Sequence, residues 1–264
     1  MLNIDAQLQA LIFDVDGTLA ETERDGHRLA FNRAFEAAAL DWDWSIDLYG
    51  ELLEIAGGKE RIQFYLDRYV PGFQLPDQTA DLKSWIAALH QAKTMHYKQL
   101  LTEGLIPVRP GVKRLLQEAR HQGVRLAIAT TSAPDNAIGL LETALGPDAP
   151  HWFEVIAAGD MVPAKKPAPD IYLYVLQAMQ LDPSHCLVIE DSQQGLQAAL
   201  QAGLTTVITV NPYTRHQDFT GAALVLSDLG EPHQPFQVIA GEWSAPNPDP
   251  TYFDLALART IVRL

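Results

Sequence analysis

The chain has one cysteine in 264 residues, Cys186, so no disulfide can form within it. Its place in the apolar run 186–189 makes the thiol a core filler rather than a nucleophile. Basic residues are also scarce: 19 Lys and Arg stand against 33 Asp and Glu, for a formal charge of −14. Without a basic stretch to displace counterions, nucleic acid is excluded as a partner. No apolar run approaches the roughly 20 residues that a membrane span requires. The N-terminal residues lack the charged-then-apolar pattern of a secretory leader, so a cytoplasmic protein with no membrane partner is expected. There is no internal repeat and no low-complexity segment. A monomer is the expected state.

What is present is an ordinary globular composition, 47% hydrophobic and 20% charged, long enough for a large domain with a smaller one inserted. The organising stretch is A-L-I-F-D-V-D-G-T-L, residues 10–19. Ala10 to Phe13 reads as a buried strand of a parallel sheet, and Gly17 permits a sharp turn directly after it. Asp14 and Asp16 therefore lie at a strand's carboxyl end, where open α/β sheets bind ligands. Side chains alternate faces along extended backbone, so residues two apart can point the same way and converge on one metal, one phosphate or one proton. Taken alone, the stretch is equally a strand followed by an Asp-Gly turn.

After Leu19 the periodicity turns helical, at Arg28 to Ala39 and again at Ser84 to Leu101. Residues 20–104 are read as an all-helical insertion, with Trp42 and Trp44 in its own core. From Pro110, helices alternate with continuous apolar strands, at 124–129, 153–157, 186–189, 205–210 and 223–226. That alternation implies right-handed crossovers and a sheet covered on both faces. The expected fold is α/β: a doubly wound, parallel-sheet, Rossmann-like core from residues 1–19 and 105–264, carrying a helical cap at 20–104. The Pro-rich and polar segment from Pro232 ends in a helix-like stretch expected to pack on the core.

Further polar groups fall just past strand ends. Thr130 follows the second strand, where its hydroxyl could donate to a phosphoryl oxygen or simply to a turn. Lys165 and Lys166 follow the third, and Lys165 reads as solvated. Glu190, Asp191 and Ser192 follow the fourth. Adjacent acids beside Asp14 and Asp16 are costly unless a cation holds them, and hard oxygen donors suit Mg²⁺. They also suit the N-terminus of the helix that follows.

These residues resemble the motifs of the haloacid dehalogenase-like hydrolases: D-V-D-G-T at 14–18, Thr130, K-P-A-P-D at 166–170 and V-I-E-D-S at 188–192. The resemblance spans residues 10 to 230. It implies that Asp14 is a nucleophile forming an aspartyl-phosphate and that Asp16 is general acid and base. It further implies that Lys166 neutralises charge and that Glu190 and Asp191 join the aspartates as ligands of Mg²⁺. A cap between the first motif and Thr130 is similar to that of β-phosphoglucomutase and related sugar phosphatases, where it chooses the substrate. The runs from Ala20 (A-E-T-E-R-D-G-H), Ala56 (A-G-G-K-E-R-I) and Gly159 (G-D-M-V-P-A-K-K-P-A-P-D) resemble the CbbY-like branch, the xylulose-1,5-bisphosphate phosphatases.

That resemblance implies a small phosphorylated sugar as substrate. The candidate contacts are Glu21, His27, Gly58, Lys59, Arg61 and Thr131, with Glu23 weighed equally as a solvated side chain. Lys59 and Arg61 offer cations for a second phosphate, while Gly57 and Gly58 allow close backbone approach. The same pair also reads as a helix-initiating loop with exposed basic residues. A phosphomutase using the same residues is the nearest alternative. A dehalogenase would need neither metal nor second carboxylate, and a non-catalytic binding protein would not need this complete set.

Overall fold

The computed structural model describes residues 8–55, 57–75, 81–159, 161–242 and 250–262. Ala56 and Asp160, which belong to two of the sequence runs above, lie outside the described residues. So do Arg263 and Leu264, the end of the helix-like stretch. The chain forms two compact units: residues up to Glu21 together with those from Pro107 onward, and Thr22–Ile106.

The first unit is built on a seven-stranded sheet. Its strands are β1 (Ala10–Phe13), β2 (Arg125–Thr130), β3 (Val155–Ala158), β4 (Cys186–Glu190), β5 (Thr205–Thr209), β6 (Leu224–Leu226) and β7 (Val238–Ala240). Their order is β3-β2-β1-β4-β5-β6-β7. All neighbouring pairs are parallel except β6 with β7. Every residue of β1 and β4 is buried, which is why both read as unbroken apolar runs. Successive strands build outward from β1 on one side and then from β4 on the other. The crevice at the carboxyl ends of β1 and β4 is therefore a topological switch point.

In the second unit, α1 (Arg28–Ala37), α2 (Ile46–Leu52), α3 (Gly58–Tyr69) and α4 (Leu82–Thr102) follow a π-helical turn at Thr22–His27. Asp81 caps α4, accepting from the Ser84 N–H at 2.8 Å. Trp42 and Trp44 are buried as expected, within an aromatic cluster. The Trp44 ring lies 4.5 Å from Phe31 and 4.9 Å from Phe35, and Trp42 lies 5.3 Å from Tyr65.

In the first unit again, α5 (Val112–His121), α6 (Pro134–Leu145), α7 (Asp170–Met179), α8 (Gln193–Gln201) and α9 (Leu255–Val262) accompany the sheet. Gly123, at φ +72°, ends α5 as expected. The helix α9 buries Leu255, Leu257, Ala258 and Ile261. Strand bounds differ from the sequence reading: β2 runs to Thr130 and β4 to Glu190, so these residues end their strands rather than follow them, and β5 stops at Thr209. Strand β3 begins two residues late, because Phe153 caps the 3₁₀ turn at Ala149–Trp152 and gives its N–H to the Pro150 carbonyl. Strand β7 was not expected: it is three residues long, exposed throughout, and too short to show a period.

Candidate active site

Strand β1 ends at Phe13, the Asp14 N–H still donates to the Ile189 carbonyl at 3.1 Å, and Asp16 stands two residues further on, directly before Gly17. The structure separates them. The carboxylates of Asp14, Glu190 and Asp191 are buried and lie within 4.8 Å of one another. Asp16 is outside this group, and its carboxylate accepts a short hydrogen bond from the Ser132 hydroxyl. Of the four residues expected to hold one metal, Asp14, Glu190 and Asp191 bring their carboxylates together, while the Asp16 carboxylate is hydrogen-bonded to Ser132.

Gly17 is required for the turn after Asp16. It sits at φ +84°, and a Cβ there would overlap the Asp191 carboxylate and the Asn211 amide. Asp191 in turn accepts from Asn211 Nδ2 at 2.6 Å and, at 3.4 Å, from the Thr18 hydroxyl. Lys166 reaches directly into the carboxylate cluster. Its Nζ lies 2.6 Å from Asp14 Oδ1, 2.6 Å from Glu190 Oε1 and 2.8 Å from the Ala129 carbonyl. Glu190 also accepts from the Tyr172 hydroxyl at 3.2 Å and from the backbone N–H groups of Asp191 and Ser192, at 2.9 and 3.1 Å.

The electrostatics follow from three clustered acids meeting one lysine in a dry site. Burial, then the charges of Glu190 and Asp16, push Asp14 up to about 8 against the pull of Lys166. Burial and the neighbouring Glu190 and Asp14 hold Asp191 well above the usual carboxylate range. Burial would also raise Glu190, yet the Lys166 charge and its hydrogen bonds keep it below its ordinary value. Lys166 is held well above its ordinary value: burial opposes this, and the Asp14 and Glu190 charges overcome it. With all three acids ionised the cluster would carry more negative charge than Lys166 offsets, which is why two of them hold their protons so strongly. A divalent cation held by oxygen donors fits that imbalance, and Asp14, Glu190 and Asp191 are the residues placed to hold one.

Thr130 is buried, with Oγ1 accepting from the Ser132 N–H at 3.1 Å, and Thr131 beside it is exposed. Glu21 pairs with the Arg109 guanidinium at 2.9 Å. In the helical unit, Glu23 accepts from the Tyr49 hydroxyl at 2.6 Å. His27 Nδ1 accepts from Lys93 Nζ at 2.9 Å, and its ring stacks on Tyr97 at 4.0 Å. Arg61 donates to the Leu52 carbonyl at 2.9 Å, the Tyr49 oxygen at 3.1 Å and the Ile55 carbonyl at 3.3 Å. It thereby serves the carboxyl end of α2. Gly58 is small because a Cβ there would overlap the His90 ring, and Lys59 is exposed.

Sequence reasoning missed Ser132, Asn211, Tyr172 and Arg109. Asn211 lies just past β5, so the strand-end rule applied to one more strand finds it. Ser132 was read only as the start of a helix. Arg109 carried no signal, although its buried guanidinium donates to carbonyls of Gly17, Thr209, Val210 and Ser227.

Residues 8–203 match the haloacid dehalogenase-like hydrolase family. The plasmid-encoded protein CbbY of Cupriavidus necator is 46% identical over 228 residues, covering 86% of this chain and 88% of that protein. Crystal structures of CbbY from Rhodobacter sphaeroides, one with phosphate and one with xylulose-(1,5)bisphosphate, are 44% identical, with a TM-score of 0.68. They cover 84% of this chain and 95% of theirs. A switch-point crevice holding three carboxylates and a buried lysine thus coincides with similarity over most of the length, and the chain belongs to the haloacid dehalogenase-like hydrolases.

Proposed function

We propose that the chain is a Mg²⁺-dependent phosphatase that removes one phosphate from xylulose 1,5-bisphosphate through an aspartyl-phosphate on Asp14. The observation that carries this reading is the bridging of Asp14 and Glu190 by Lys166 Nζ, at 2.6 Å to each, beside Asp191. An Asp14 oxygen attacks phosphorus as the bond to the sugar oxygen breaks, which splits the transfer into two easier steps. Asp16 gives a proton to the departing alkoxide and then takes one from the attacking water. Ser132 holds Asp16 in place for both.

Lys166 offsets charge on the phosphoryl oxygens, and Thr130 borders the same strand end. A bound Mg²⁺ would supply the remaining positive charge that keeps Asp14 ionised. Glu21, His27, Gly58, Lys59, Arg61 and Thr131 are the proposed contacts that select the sugar. Of these, Lys59 is the cation with its head exposed, whereas Arg61 is engaged with α2. The CbbY complex with xylulose-(1,5)bisphosphate supports this choice of substrate.

The test is phosphate release from xylulose 1,5-bisphosphate and from β-glucose 1-phosphate, with and without Mg²⁺. Metal-dependent release from the bisphosphate, lost in Asp14→Asn, is the expected result. Conversion of β-glucose 1-phosphate to the 6-phosphate with little free phosphate would replace this reading with a mutase.

A further inference from the structure

Strands β1 and β5 are separated in the sheet by β4, so no ladder of sheet hydrogen bonds joins them directly. Yet the segments that follow them meet at Asp191. The Gly17 turn after β1 packs so closely on the Asp191 carboxylate and the Asn211 amide that a Cβ would overlap both. Asn211, two residues past β5, donates to Asp191 Oδ2 at 2.6 Å. Something other than the sheet has to set the spacing of these two segments.

Arg109 is placed to do so. Its side chain is buried, and all three guanidinium nitrogens are engaged within the unit that carries the sheet. Nη1 donates to the Gly17 carbonyl, to the Thr209 carbonyl at 2.8 Å and to the Thr209 hydroxyl at 3.1 Å. A single nitrogen thus joins the turn after β1 to the end of β5. Nη2 donates to the Val210 carbonyl at 2.5 Å and to the Ser227 carbonyl at 2.8 Å. Nε pairs with Glu21 at 2.9 Å, and the Arg109 N–H donates to the Leu19 carbonyl at 2.8 Å.

A buried ion pair is weak evidence for stability, because well-packed apolar residues often serve as well. A rigid planar fork does what an apolar side chain cannot: it fixes several acceptors relative to one another.

We propose that Arg109 is a positioning residue for the carboxylate cluster. By holding the Gly17 turn to Thr209 and Val210, it keeps Asn211 and Asp191 in place beside Asp14 and so, on the reading above that the cluster holds Mg²⁺, sets the affinity for that cation. It acts through backbone carbonyls and is not itself a catalytic residue.

The experiment measures Mg²⁺ binding by titration calorimetry and amide hydrogen exchange by NMR, in the wild type and in Arg109→Lys. Lysine keeps the positive charge but presents one compact ammonium in place of the fork. The expected result is a Kd for Mg²⁺ raised tenfold or more. Exchange should quicken at Gly17, whose N–H is bonded to the Ala20 carbonyl, and at Asn211, whose N–H is bonded to the Thr214 hydroxyl. The amides that join β2 to β3 should keep their protection. If either readout is unchanged, or if exchange rises equally throughout the sheet, the proposal is overturned: charge suffices in the first case, and Arg109 is a general brace in the second.

Should Arg109→Lys fail to fold by circular dichroism, Thr209→Val takes its place, removing only the hydroxyl acceptor. A twofold or greater loss of Mg²⁺ affinity with the same local exchange pattern supports the proposal, and no change overturns it. If the wild type binds no Mg²⁺, the metal reading fails, and exchange at Gly17 and Asn211 alone decides whether Arg109 holds the two segments together.

Discussion

Ser132 donates its hydroxyl proton to Asp16, whose carboxylate is separate from the Asp14, Glu190 and Asp191 cluster. Ser132→Ala removes a hydrogen bond to a charged group, a contact worth about 1.5–3 kcal/mol. If Asp16 moves the proton in both half-reactions, kcat for phosphate release falls ~10-fold or more, with KM little changed. Steady-state kinetics of the variant checks this, and an unchanged kcat removes Asp16 from the proton-transfer role.

Asp14 supports a prediction of its own. With its affinity pushed up to about 8, the metal-free protein holds a proton there at neutral pH, whereas the unfolded chain loses it near 3.8. At Asp14 the folded state thus binds more protons between those values, so the contribution of this residue to metal-free stability is greatest at the acid end of that window and falls as pH rises through it. Mg²⁺ binding at pH 7 should release the Asp14 proton together with any held by Asp191, and the Asp14 share declines toward zero well above pH 8. Calorimetry in buffers of differing ionisation enthalpy measures that number. Zero release at pH 7 contradicts the charge assignment.

At the scale of elements, the loops after β1 and β4 carry the chemistry because glycines leave room beside them. A Cβ at Gly195, in the first turn of α8, would overlap the Glu190 carboxylate. Gly195→Ala is therefore expected to cost about 1–3 kcal/mol as an overpacked site. It should also weaken Mg²⁺ binding by displacing Glu190, which titration calorimetry reads directly. In the helical unit, Trp44 is fully buried among Phe31, Phe35, Tyr49 and Tyr65. Trp44→Ala leaves a large cavity and should destabilise that unit by about 3–5 kcal/mol, measured by urea unfolding. The aromatic run at 41–44 was readable as core from its sequence. The role of Arg61 at the end of α2 was not, because its acceptors are carbonyls, and every residue has one.

At the scale of the whole molecule, a charge of −14 repels phosphorylated substrates at long range while Lys166 attracts them only nearby. Screening acts first on the distant charge, since the Debye length shrinks from about 30 Å at 0.01 M salt to about 10 Å at 0.1 M. kcat/KM for a phosphate ester should therefore rise over that interval. A steady fall would mean that local cations dominate encounter.

The doubly wound sheet was legible because its strands are buried on both faces and read as unbroken apolar runs. The strand-end residues Asp14, Lys166, Glu190 and Asp191 were legible because the parallel topology brings carboxyl ends to one edge. By itself, the sequence determined β1 to β6 and which acids stand at their ends, since both depend on local pattern, whereas β7 left no period to read. Only the tertiary structure decided that Asp16 turns away to Ser132, that Asn211 joins Asp191, and that Arg109 spans four carbonyls. Those contacts join residues about 20 to nearly 120 positions apart in the chain, and no local period encodes such a separation.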